Sequence, residues 1–117
     1  MDEVSSSTER ALQHLIVVGE FLLDRETIRV WRGSKPLQLS MKQFRLLEVF
    51  MQHPGEPLPR KTLKERVWGV SSTIEEATVD AEIVRLRRAI GGRQREAPIR
   101  TVRKLGYVFQ IPKRRRA

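Results

Sequence analysis

Cysteine is absent from this sequence, which removes disulfides, thiolate nucleophiles and thiolate metal sites and fits a reducing compartment. Histidine occurs only as His14 and His53, so no imidazole cluster for a metal is available. Long apolar runs are missing too. The longest, Leu15-Ile16-Val17-Val18 and Phe21-Leu22-Leu23, fall far short of the about 18 to 20 residues of a membrane span, and no signal-peptide layout opens the chain. A cytoplasmic protein with no membrane contact is expected. Aromatic residues make up 6% of the chain, and most sit in apolar patterns, which leaves no stacking platform for single-stranded RNA. Carboxylates are scattered over polar helix faces, so no nucleophile-base pair or metal set suggests an enzyme. No cofactor is expected.

What is present is positive charge, unevenly placed. The net charge is +9; residues 1–58 hold 7 Lys+Arg against 8 Asp+Glu, a net of −1, and residues 59–117 hold 16 against 6, a net of +10. A one-sided field of this kind raises encounter rates with polyanions. With 117 residues, 39% hydrophobic, there is room for one small domain and a modest core. Residues 1–14, with Ser5-Ser6-Ser7-Thr8, read as a tail or linker, 15–112 as the domain and 113–117 as a basic tail.

The basic half contains a helix with two faces. Over residues 75–90, a step of about 100° per residue puts Val79, Ile83, Leu86 and Ile90 on one apolar stripe, while Ala77, Ala81, Val84, Arg85 and Arg88 share the opposite side. Small residues let a backbone approach closely, and arginine can bond both acceptors of a guanine edge, so this face suits the DNA major groove. An ordinary amphipathic helix with a solvated basic face is the alternative. Thr73 with Glu76, or Ser72 with Glu75, has the spacing of a capping box, and Gly91-Gly92 supplies the stop.

Upstream, short apolar segments broken by turn residues predict antiparallel strands at 15–18, 20–23, 27–31 and 36–39, with Trp31 a packing residue. Ser40 and Gln43 then have capping-box spacing, with Leu39 and Phe44 as a hydrophobic staple. Phe44, Leu47, Phe50 and Met51 keep a helical period that His53-Pro54-Gly55 ends. A shorter helix is predicted over 59–68, with Leu63 and Val67 inward, Arg60, Lys61, Lys64 and Arg66 outward, and Gly69 as its break. The linked helices form a loose helix-turn-helix pattern. After a polar stretch, 99–103 and 107–111 alternate in the strand period around Lys104-Leu105-Gly106, a β-hairpin with Arg103 and Lys104 at its tip. Such a cationic finger can enter a minor groove or lie on a phosphate.

In this order the elements resemble the OmpR/PhoB-type winged-helix DNA-binding domain of bacterial two-component response regulators. The resemblance covers roughly residues 17–111 and rests on Leu39-Ser40-x-x-Gln43-Phe44-x-Leu46-Leu47, His53-Pro54-Gly55, Val67-Trp68-Gly69, Thr78-Val79-Asp80-x-x-Ile83-x-Arg85-Leu86-Arg87-Arg88 and Ile99-Arg100-Thr101-Val102-Arg103-x-x-Gly106-Tyr107-x-Phe109. It implies an α+β winged helix-turn-helix: an N-terminal antiparallel sheet, three helices and a C-terminal hairpin wing. It also implies sequence-specific binding of double-stranded DNA for transcription regulation. By the same resemblance Arg85 reads bases, with Ala81, Val84 and Arg88 on the same face, and Arg87 contacts phosphate. Thr78, Trp68, Thr101, Arg103, Lys104 and Tyr107 lie at the backbone or minor groove; for Trp68 and Tyr107, core packing comes first. Relatives commonly sit head to tail as dimers on direct repeats, and the loop 68–74 can touch RNA polymerase.

Some positions depart from the pattern. Ala77, Glu82 and Val84 stand where relatives often carry basic or polar contacts, and Glu82 either accepts from a cytosine amino group or repels phosphate. Lys104 replaces a glycine before the second glycine of the wing turn, which puts left-handed turn geometry in question. Pro59 stands where a serine commonly caps the second helix. A receiver domain of roughly a hundred residues usually precedes the effector and does not fit before residue 15, so either an isolated effector domain or a regulator working without a receiver is expected. The competing function is a basic protein- or RNA-interaction module without sequence-specific DNA readout.

Overall fold

A computed structural model describes residues 13–91 and 98–111; residues 1–12 of the expected tail over 1–14, Gly92 and the polar stretch to 97, the domain's expected last residue 112 and the basic tail 113–117 lie outside them. Four short strands, β1 (Leu15–Val18), β2 (Phe21–Asp24), β3 (Arg29–Arg32) and β4 (Lys35–Pro36), form an antiparallel meander in sequence order. Phe21, Leu23 and Val30 are buried on its inner face, and Leu22 pairs with Trp31 on the other. The half-exposed Trp31 is bracketed by Leu22 and Pro36. The third strand starts two residues later than expected. Asp24 Oδ1 accepts from the amides of Glu26 and Thr27, and Ile28 turns left-handed at φ 58°, a conformation that an extended strand cannot contain. The fourth ends early because the chain leaves the sheet for the cap at Ser40.

Helix α1 (Met41–Gln52) begins with the predicted box: Gln43 N donates to Ser40 Oγ at 3.2 Å, and Ser40 N donates to Gln43 Oε1 at 2.8 Å. Its buried side is wider than the four expected residues and includes Leu46 and Val49, because it packs against β1, the strand Gly106–Phe109 and both other helices. Helix α2 (Arg60–Trp68) buries Leu63 and Val67 and has no side-chain cap at Pro59. It breaks at Gly69, whose φ of 108° favours glycine.

Helix α3 (Glu76–Ile90) buries Val79, Ile83, Leu86 and Ile90, the whole predicted stripe. Neither proposed capping box forms. Glu75 occupies the cap position without a side-chain bond, and Ser72 Oγ instead accepts from the Ile74 amide at 3.3 Å. Ile74 packs against the core, which keeps the chain extended past Thr73 and delays the helix. Glu76 still places a carboxylate in the first turn, where the helix dipole favours it.

The hairpin of β6 (Ile99–Val102) and β7 (Gly106–Phe109) gains a strand that the sequence did not announce, β5 (Leu58–Pro59), giving the order β5-β7-β6. A two-residue strand ending in proline shows no alternation. Its approach to the hairpin makes a side chain impossible at position 106, where a Cβ would lie 2.0 Å from the Leu58 carbonyl oxygen. The rings of Phe21 and Phe109 meet edge to face, centroids 5.5 Å apart, joining the two sheets across the core.

Candidate nucleic-acid interface

With its apolar stripe committed to the core, α3 presents the rest of its surface outward. Ala77, Thr78, Ala81, Val84, Arg85 and Arg88 are all exposed, so the residues expected on one face do share it. Arg85 is not loose on this face. Its Nη1 donates to Glu82 Oε1 at 2.7 Å, an i,i+3 ion pair in which the Arg85 side chain is 60% exposed and that of Glu82 only 18%.

Arg87 turns a different way from Arg85 and Arg88. Its Nε donates to the Ile99 carbonyl at 3.0 Å, its Nη2 to Thr101 Oγ1 at 2.9 Å, and its guanidinium lies 5.3 Å from the Tyr107 ring centroid. The structure therefore gathers Arg87, Thr101 and Tyr107, and it adds two residues that the sequence reading did not single out. Tyr107 Oη donates to Asp80 Oδ1 at 2.6 Å and Arg60 Nε donates to the same oxygen at 2.7 Å, with the Arg60 guanidinium 5.1 Å from the Tyr107 ring. Asp80 is one of three carboxylates in the helix, with Glu76 and Glu82, so nothing local sets it apart; its partners lie 20 and 27 residues away.

Electrostatics follow from this packing. Burial works to raise the Asp80 pKa, but the bonds from Tyr107 and Arg60 and the Arg60 charge outweigh it and hold the carboxyl below its ordinary 3.8. Burial, then the adjacent carboxylate, pushes the Tyr107 phenol above 10.0. The bond to Asp80 likewise raises Arg60, so Asp80 and Arg60 form a charged pair at neutral pH.

At the wing tip Arg103, Lys104 and Leu105 are exposed. Lys104 takes φ 66°, so the left-handed turn survives the loss of the glycine, at the steric cost that a Cβ carries there. Trp68 is half-buried against the core, with Lys42 Nζ 5.4 Å from its ring centroid, and Tyr107 is only 5% exposed; core packing does come first for both. No helix among the described residues is long and apolar enough to cross a membrane.

Two helices joined by a short loop, the second with an exposed small and basic face, and a cationic hairpin tied to that helix define a winged-helix domain. Residues 34–109 match the family described as Transcriptional regulatory protein, C terminal. The chain belongs to that family, whose members include the OmpR/PhoB-type response regulators. It is 43% identical over 99 residues to the phosphate regulon transcriptional regulatory protein PhoB of Rhizobium meliloti (strain 1021), which covers 85% of this chain and 44% of that protein. Among solved structures, the Klebsiella pneumoniae RstA DNA-binding domain in complex with the RstA box is similar with a TM-score of 0.74 at 30% identity, covering 82% of this chain and 96% of that one. The DNA-binding domain of CpxR from E. coli is similar at 0.71 and 25%, covering 83% and 96%. The chain thus spans less than half the length of PhoB and nearly all of the isolated domains.

Proposed function

We propose that this chain binds duplex DNA sequence-specifically and so regulates transcription, with α3 in the major groove and the β6–β7 hairpin at the minor groove. The observation that carries the reading is the outward face of α3, where Ala81 and Val84 leave the backbone approachable and Arg85 and Arg88 project beside them. An α-helix fits the major groove, and arginine on such a face meets guanine N7 and O6 while alanine and valine touch thymine methyls. The similar RstA domain was solved in complex with its RstA box, which supports DNA as the ligand. Arg85, with Ala81, Val84 and Arg88, is the base-reading set. Thr78, Trp68, Arg87, Thr101, Arg103, Lys104 and Tyr107 border the backbone or minor groove. Arg103 and Lys104 act as free cations, whereas Arg87 and Tyr107 act chiefly by fixing the wing.

Head-to-tail dimers on direct repeats belong to the same reading, as does a contact of the loop over 68–74 with RNA polymerase. In favour of the second is Val70, an apolar side chain 81% exposed in that loop. Selection of bound duplexes from a random library at physiological salt tests the whole. Two similar half-sites about one helical turn apart are expected. Strong, steeply salt-dependent binding with no enriched motif would leave only an electrostatic patch and favour a protein or RNA partner.

A further inference from the structure

The face that meets DNA in this reading is bordered by one carboxylate, Glu82, that the reading does not use. Glu82 neighbours Thr78 four residues before it and Arg85 three residues after it, so it borders the base-reading set at its Arg85 edge. A negative side chain entering a phosphate-lined groove loses its water and is repelled unless a cation or a base donor meets it. Here it is already met. Glu82 Oε1 accepts from Arg85 Nη1 at 2.7 Å, and the Glu82 side chain is the more buried of the two, at 18% against 60%. Glu82 is therefore the anchored member and Arg85 the projecting one.

The atoms involved decide what remains available. A guanidinium has five N–H donors, and the bond to Glu82 occupies one on Nη1. The side-on fork of Nε and Nη2 is left over, and two parallel donors of that kind fit guanine O6 and N7. The second carboxylate oxygen of Glu82 has no partner among the described residues. In the major groove the base donors it can meet are amino groups, and the one that suits an acceptor-only carboxylate is cytosine N4. We infer that Glu82 and Arg85 form one preassembled reading unit, in which Glu82 fixes Arg85 for guanine through Nε and Nη2 and itself selects cytosine at a neighbouring position. The unit rests on the DNA-binding reading. It adds a specificity-determining residue, and because the pair exists before DNA arrives, part of the ordering of Arg85 precedes binding.

The test is library selection with the full chain and with Glu82→Ala, Glu82→Gln and Arg85→Ala. Alanine and glutamine are both good helix formers at this position, and circular dichroism checks that each variant folds. The native chain is expected to enrich a guanine with a cytosine nearby at a preference of about tenfold or more. Glu82→Ala is expected to reduce the cytosine preference below about threefold and to broaden the guanine position. Glu82→Gln is expected to move the neighbouring preference from cytosine to adenine, since a carboxamide supplies both the acceptor and the donor that adenine N6 and N7 require. A merely structural Glu82 would change affinity without exchanging one base for another. An Arg85-dependent motif that survives both Glu82 variants unchanged would overturn the inference while leaving DNA binding intact. A native chain that enriches no motif would overturn both; the pairing is then still read in the free protein, as restricted rotation of the Arg85 guanidinium in NMR spectra that Glu82→Ala releases.

Discussion

Asp80 receives two donors on a single oxygen, one from the wing and one from α2, and this makes the folded state sensitive to acid. Its pKa is lower folded than unfolded. The unfolded chain therefore binds the proton more readily, and the stability linked to Asp80 is present above pH 3.8 and lost as pH falls through the lower folded value. The Tyr107 phenol is raised, which favours the protonated folded form: its contribution is present below pH 10.0 and lost as pH rises through the folded value. The Asp80 side chain is 41% exposed, so solvent screening tempers the size of the effect. Urea unfolding followed across the acid range is expected to be less pH-dependent for Asp80→Asn than for the native chain below pH 3.8. Equal slopes would remove Asp80 from the acid response. Little of this was legible beforehand. Asp80 belongs to the Thr78-Val79-Asp80 motif that carries the resemblance, but its role depends on Arg60 and Tyr107, which no local pattern links to it.

At the scale of elements, what could be read in the sequence was what is local. The Ser40–Gln43 box and the stripe of Val79, Ile83, Leu86 and Ile90 rest on spacings of three and four residues, and both are present as expected. The start of α3 falls within one residue of the expected 75, but its cap does not: two polar pairs have the right spacing, and the packing of Ile74 against the core, a tertiary fact, decides against both. The strand β5 was missed for the same kind of reason, since only the wing gives Leu58 and Pro59 a partner. The C-terminal end of α3 shows the consequence of such long-range contacts. Arg32, at the end of β3, donates from Nη1 to the carbonyls of Ile90 at 2.9 Å and Gly91 at 2.8 Å, and from Nε to Glu20 at 2.6 Å. Its guanidinium lies 5.0 Å from the ring centroid of the buried Phe21. The last carbonyls of a helix lack intrahelical partners, and a cation there also meets the negative end of the dipole. The N-terminal sheet thus holds the far end of the helix whose other half is tied to the wing. Arg32→Met keeps the stem and removes these bonds, and it is expected to cost about 1.5 to 3 kcal/mol. Urea unfolding reads the cost, and amide exchange in the last turn of α3 should quicken. Unchanged exchange there would show that the helix end holds without Arg32.

Over the whole molecule, the proposed DNA contact assigns affinity and readout to different residues, and salt would separate them. Residues 59–117 carry a net charge of +10 against −1 for the rest, so the half with α3 and the wing supplies the attraction to phosphate. Each phosphate neutralised makes log K fall with log salt by about 0.9. Arg103, exposed at the wing tip, is placed to be counted in that way, whereas the Tyr107 hydroxyl is turned inward to Asp80 at 2.6 Å and is not. Arg103→Ala is accordingly expected to lower the magnitude of the salt slope by about 0.9 with the preferred sequence unchanged. Tyr107→Phe is expected to leave the slope as it is and instead to lower stability by about 1 to 3 kcal/mol, since Asp80 then loses one of its donors. Binding isotherms for both variants at several salt concentrations, alongside their unfolding curves, separate the two roles. A slope that falls for Tyr107→Phe would mean that the hydroxyl leaves Asp80 for a phosphate when DNA binds, and the wing anchor would then be a switch rather than a fixed joint.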